Sequence, residues 1–172
     1  MSRTPASLGV LFVCTGNICR SPAGAGVYRH YVREAGFADL IGVDSAGTID
    51  YHAGEAPDAR MQAAAARRGY VLDSIARQVT LGDLSDFDVI VAMDHEHLRA
   101  LARLAGGRPA HLRLLGTFLG EAIDNDDAQA VPDPYYGGPR GFELVLDMIE
   151  SACPQLLAHC LDLREQRPAQ AP

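Results

Sequence analysis

Apolar positions along this chain fall into short unbroken runs and longer periodic stretches, which take turns from one end to the other. The stretch from Leu8 opens as a run of Leu, Val and Phe, the composition of a buried strand, and breaks at Gly16-Asn17. After Ser21-Pro22 a helical pattern runs from Ala23 to Ala35, with Val27, Tyr31 and Ala35 four apart on one face and Gly36 as its stop. Gly24 and Gly26 weaken its first turn, each by roughly 1 kcal/mol against alanine. A second strand spans Leu40 to Ser45, a polar turn-rich stretch covers Ile49 to Pro57, and an Ala-rich helix from Pro57 to Arg68 is closed by Gly69. Phe87 to Met93 reads as a third buried strand, and Asp94 as the N-cap of a helix reaching about Leu104. A turn at 106–109 leads to a fourth strand, His111 to Leu115. Gly120 to Pro139 lacks periodicity and reads as a long loop, the kind that is functional or disordered in compact domains. A last helix starts near Arg140 with Phe142, Val145, Leu146, Ile149 and Cys153 on one stripe, and Pro154 is expected to kink or restart it.

Strands alternating with helices predict an α/β fold, a doubly wound, four-stranded parallel sheet with helices on both faces and a phosphate loop after the first strand. One domain is expected over 1–172, with its core at about 8–163 and frayed tails at 1–6 and 166–172. In such a sheet ligands sit at the carboxyl ends of strands, so the Cys14 loop, the Ser45 turn, Asp94 and the long loop are expected to meet at one edge.

Composition narrows the chemistry. The net charge is −7 and no basic run occurs, which speaks against nucleic acid as a partner. All 15 basic residues are arginine, so neither a lysine-bearing nucleotide loop nor a Schiff-base lysine is available. The short polar start carries no secretory h-region, no apolar run approaches a membrane span, and four cysteines are too few for a disulfide scaffold. A cytoplasmic protein is expected.

The break after the first strand holds the decisive pair. Cys14 and Arg20 flank five residues where a strand feeds a helix N-terminus, an arrangement that turns backbone N–H groups toward one anion. A cysteine attacks as the thiolate, which those donors and Arg20 stabilise, and a guanidinium can hold two phosphoryl oxygens at once. Asn17 tolerates the left-handed turn such a loop needs. The run from Val13 to Pro22, V-C-T-G-N-I-C-R-S-P, and Asp133-Pro134-Tyr135-Tyr136-Gly137-Gly138 resemble the low-molecular-weight protein tyrosine phosphatases. Ser45 to Thr48, Pro57 to Arg60, Ala76-Arg77-Gln78 and Phe87 to Asp94 follow the order of that family, over roughly residues 8 to 160.

The resemblance implies hydrolysis of protein phosphotyrosine and small aryl phosphates without a metal or cofactor. Cys14 would be the nucleophile, Arg20 the phosphate clamp, and Asp133 the general acid and then base. Thr15, Gly16, Asn17, Ile18, Cys19 and Ser21 would surround the phosphoryl group. Ser21 would donate to the Cys14 sulfur, and Asn17 would brace the loop toward Ser45. Tyr51, Tyr135 and Tyr136 would line an aryl slot, and Cys19 either packs or guards Cys14 through a reversible disulfide. The partner would be a phosphotyrosine-bearing protein, a tyrosine kinase among the candidates, with inorganic phosphate as product and neither nucleic acid nor membrane involved.

The chain departs from the family where Ala25 replaces a usual glutamate, Ser74 a frequent histidine, His97 a common asparagine and Tyr51 a frequent tryptophan. Two other functions remain open at this level. An arsenate reductase on the same fold would use Cys153 and Cys160 as its relay, and a phosphate-binding module would perform no chemistry. His95 and His97 read as ordinary surface residues at a helix start. Asp124 to Asp127 reads as a solvated acidic loop without the glycine and spacing of a calcium site. Arg29 ends any dinucleotide fingerprint begun by Gly24 and Gly26.

Overall fold

A computed structural model describes residues 7–120 and 124–167. Four strands, β1 (Leu8–Cys14), β2 (Ile41–Gly47), β3 (Val89–Ala92) and β4 (Leu112–Leu114), form one parallel sheet in the order β2-β1-β3-β4. β1 lies at the centre, with Val10 opposite Val43 on one side and Val89 on the other. Its side chains alternate between two cores. Leu8, Val10, Phe12 and Cys14 face α1 (Arg20–Glu34), α2 (Ala59–Arg67) and α5 (Pro139–Glu165), whereas Leu11 and Val13 join Leu98 and Leu101 of α4 (His95–Ala105). The expected doubly wound sheet, covered on both faces, is therefore present. A four-residue helix, α3 (Asp83–Asp86), and a 3₁₀ turn (Leu115–Phe118) are too short to leave a periodic signal.

Helix α1 starts three residues before the expected Ala23, at Arg20, and carries Pro22 in its first turn, where no N–H is needed. Val27, Tyr28 and Val32 are buried, Tyr31 is half-buried and Ala35 is exposed, so the inward stripe is rotated from the one its spacing predicts. The reason lies in the first two turns, where every residue from Arg20 to Tyr28 is covered. Gly24 and Gly26 are what allow this. A Cβ on Gly24 would stand 2.6 Å from the Phe12 ring and 2.7 Å from Met93 Cε, and one on Gly26 2.9 Å from the Val71 carbonyl. The glycines that weaken the helix locally thus let it lie against β1 and the 69–76 segment. Gly36 and Gly69 end α1 and α2 in left-handed conformations at φ 83° and 84°. In both, two consecutive N–H groups, 36–37 and 69–70, return to carbonyls of the last turn.

Helix α5 runs without interruption through Pro154, so the expected restart does not occur. Cys153, Leu156, Leu157 and Cys160 are buried on both sides of the proline, and their packing holds the helix together. By length and composition α5 could span a bilayer, but its apolar stripe is buried against the rest of the protein, as in the core helix of a globular fold. Residues 1–6 and 168–172, expected to fray, lie outside the described residues. Gln166 caps α5, and Arg167 pairs with Asp88 rather than fraying.

The long loop does more than connect. Asn125 accepts the Leu114 N–H at 2.7 Å and donates to the Leu112 carbonyl at 3.2 Å, along the outer side of β4. Val131 N–H donates to the Met93 carbonyl at 2.8 Å, which brings the following residues to the carboxyl end of β3.

Candidate active site

Cys14 ends β1, and residues 15–19 turn around a single point before α1 begins at Arg20. Asn17 has φ 57°, the left-handed conformation expected of it, and among the described residues it is the one non-glycine there. Its side chain uses three bonds to hold that turn. Nδ2 donates to Ser45 Oγ and Ser21 Oγ, both at 2.9 Å, and Oδ1 accepts the Arg77 N–H at 3.0 Å. Ser21 Oγ lies 3.0 Å from Cys14 Sγ, on the side where a hydroxyl can stabilise a thiolate. Asn17, Ser45 and Ser21 are buried, so each of these bonds is shielded from water.

Arg20 is also buried, with its guanidinium fixed by partners on other elements. Nη1 donates to Asp94 Oδ2 at 2.7 Å and to the Val131 carbonyl at 3.1 Å, while Nη2 stands 3.5 Å from Asp133 Oδ2. Burial alone would raise the Asp94 carboxyl, but the hydrogen bond from His97 N–H and the Arg20 guanidinium together hold it below the ordinary range. Asp133 has a side chain 49% exposed and accepts the Tyr135 N–H at 3.1 Å.

Cys14, Thr15, Gly16, Ile18, Cys19, Arg20, Tyr51, Asp133, Tyr135 and Tyr136 line one cavity of about 360 Å³. Asn17, Ser21 and Ser45 stand behind the loop and not on that wall. Tyr51 and Tyr136 are 81% and 92% exposed and form the rim, whereas Tyr135 is partly covered. Cys19 is buried, and burial together with the Asp58 charge pushes its thiol up to about 12.

The cavity also includes residues that the sequence did not single out. Ile49 contributes an apolar wall, and His52 packs so closely that a Cβ on Gly16 would stand 2.9 Å from its ring. His52 Nδ1 lies 2.8 Å from Glu55 Oε2, which orients the imidazole. Its place beside Tyr51 was the available signal. Arg60 stands over the rings of Tyr135 and Phe142, at 5.2 and 4.9 Å, and donates to the Tyr135 carbonyl at 3.1 Å. It thereby fastens the acid-bearing loop to α2, while Asp58 caps that helix and pairs with the same guanidinium. His97 overturns its surface reading: it is 1% exposed, and burial pulls its ring down to about 4.

Cys153 and Cys160 lie two turns apart on the buried face of an unbroken α5. Seven residues of helix separate them by about 10 Å, beyond the roughly 7 Å that a disulfide permits. Burial pushes their thiols up to about 12 and 11. Among the described residues no group of three or more His, Cys, Asp or Glu is placed to share a metal.

Residues 9–168 match the family model for low molecular weight phosphotyrosine protein phosphatase. A low molecular weight protein-tyrosine-phosphatase of Streptomyces coelicolor is 48% identical, covering 93% of this chain and 98% of its own. The crystal structure of YfkJ from Bacillus subtilis superposes with a TM-score of 0.83 at 38% identity, over 94% of this chain and 98% of that one. A protein tyrosine phosphatase of Entamoeba histolytica gives a TM-score of 0.82 at 36% identity, over 92% and 99%.

Proposed function

The chain belongs to the low molecular weight phosphotyrosine protein phosphatase family, and from that premise we propose that it hydrolyses phosphotyrosine in proteins, and small aryl phosphates, through a Cys14 phospho-enzyme. The observation that carries this reading is the single cavity in which Cys14, Arg20 and Asp133 meet beneath an apolar and aromatic rim.

In the first step the Cys14 thiolate attacks phosphorus, the bond to the tyrosyl oxygen breaks, and Asp133 gives its proton to the departing phenolate. Arg20 and the N–H groups of residues 15–20 hold the equatorial oxygens as charge redistributes. The phosphoryl dianion beside Asp133 favours the neutral, donating form of that carboxyl. In the second step Asp133 takes a proton from water, the water oxygen bonds to phosphorus, the S–P bond breaks and inorganic phosphate leaves. Ser21 stabilises the returning thiolate. Cys19 guards Cys14 by forming a disulfide with it under oxidation.

Hydrolysis of an aryl phosphate should survive EDTA and vanish in Cys14→Ser. Asp133→Ala should lower kcat by about 10²–10⁴-fold, the usual share of general acid catalysis, and leave inorganic phosphate binding near its original affinity. Arsenate reduction dependent on Cys153 and Cys160, without aryl phosphate turnover, would replace this reading with the reductase. Phosphate binding without any turnover would replace it with a binding module.

A further inference from the structure

His97 is a buried titratable group to which the two chemical steps above assign no role. It sits in the first turn of α4 with Asp94 as N-cap; Thr15 and Asp94 approach its ring, and the charges of Arg20 and Asp133 also act on it. Nε2 lies 2.7 Å from Thr15 Oγ1. Nδ1 lies 3.1 Å from Asp94 Oδ1 without the alignment of a hydrogen bond, and the same oxygen accepts the His97 backbone N–H at 3.0 Å.

These contacts decide where the ring proton sits. A bare lone pair on Nδ1 at this distance from a carboxylate oxygen would be repelled, so Nδ1 carries the hydrogen. Nε2 is then an acceptor, and the Thr15 hydroxyl must donate to it. Asp94 Oδ2, the other oxygen of the same carboxylate, receives Arg20 Nη1. The contacts run Arg20, Asp94, His97, Thr15, from the last residue of the phosphate loop to the one after its nucleophile.

We propose that His97 is a positioning residue of the phosphatase: as a neutral imidazole it accepts the Thr15 hydroxyl and, through Asp94, ties the Cys14 end of the phosphate loop to Arg20 at the other end. The proposal rests on reading that loop as the phosphate site. Its physical content is preorganisation: a loop held at both ends from one helix turn keeps its donors aimed before the phosphoryl group arrives. Burial and the neighbouring guanidinium keep the ring neutral, so the tie persists over the working range of pH.

Nitrogen-detected NMR of the protein should find the Nδ1–H tautomer of His97, with an Nε2 shift that moves in Thr15→Val. Thr15→Val and His97→Ala should each weaken inorganic phosphate binding and aryl phosphate kcat/KM about fivefold, the size of one hydrogen bond. The double variant should lose no more than either single one, because both remove the same link. His97→Gln, whose amide oxygen can reach Thr15, should recover most of the loss. An Nε2–H tautomer, or losses that multiply in the double variant, would overturn the proposal. If the wild-type protein hydrolyses no aryl phosphate, the phosphatase reading falls, while the tautomer and the phosphate affinities still decide the role of His97.

Discussion

Cys19 shares the phosphate loop with Cys14, but its surroundings differ. Its thiol is pushed up to about 12, so at neutral pH it stays protonated and does not compete as a nucleophile. In the proposed guard role its part would begin only after Cys14 is oxidised. On that reading peroxide would convert Cys14 to a sulfenic acid, and the Cys19 thiol would then bond to its sulfur with loss of water. Mild peroxide should therefore give a reducible Cys14–Cys19 link on peptide mapping, whereas Cys19→Ser should give overoxidised Cys14. A wild-type protein yielding only overoxidised Cys14 would remove the guard. At this scale the sequence carried most of the loop, because Cys14, Asn17, Arg20 and Ser21 are fixed in spacing by one short turn. It did not carry His97. A histidine two positions from another at a helix start looks solvated until the loop packed over it is known, and that loop lies 82 residues away in sequence.

At the scale of elements, the strands were legible as apolar runs and Asp94 as an N-cap, since both depend on local composition. What was lost depends on neighbours. The start of α1 at Arg20 is set by the loop before it, and the continuity of α5 through Pro154 by packing against the core. The hold of α2 on the acid-bearing loop belongs to this class too. Arg60 reaches across 75 residues to the Tyr135 carbonyl and covers the Tyr135 ring. Arg60→Ala should let Asp133 stray from the leaving oxygen and lower kcat with phenolic substrates about 10- to 100-fold. Binding of inorganic phosphate, which needs the loop and Arg20 but not the acid, should stay near the wild-type value. A loss confined to phosphate affinity, with kcat unchanged, would show that the clamp serves the loop and not the acid.

For the molecule as a whole, the buried histidine links stability to pH. The folded protein keeps His97 neutral down to about 4, while the unfolded chain takes up a proton from about 6.5 downward. Between those values the unfolded state binds more protons, so stability falls as pH falls. At pH 5 this single group should cost about 2 kcal/mol relative to pH 7.5. Denaturant titrations of the wild type and His97→Asn at the two pH values should differ by that amount, with the wild type losing more. Equal losses would place the titration elsewhere. The side-chain amide that lies along β4 has a consequence of another kind. A parallel sheet ends in strands whose outward N–H and C=O groups can recruit a second chain, and self-association through such edges is a standing hazard for α/β proteins. On β4 the donor of Leu114 and the acceptor of Leu112 are both occupied by Asn125, and on β2 Arg29 donates to the Val43 carbonyl. The chain supplies its own stoppers on both outer strands, which favours a sheet that stays four strands wide.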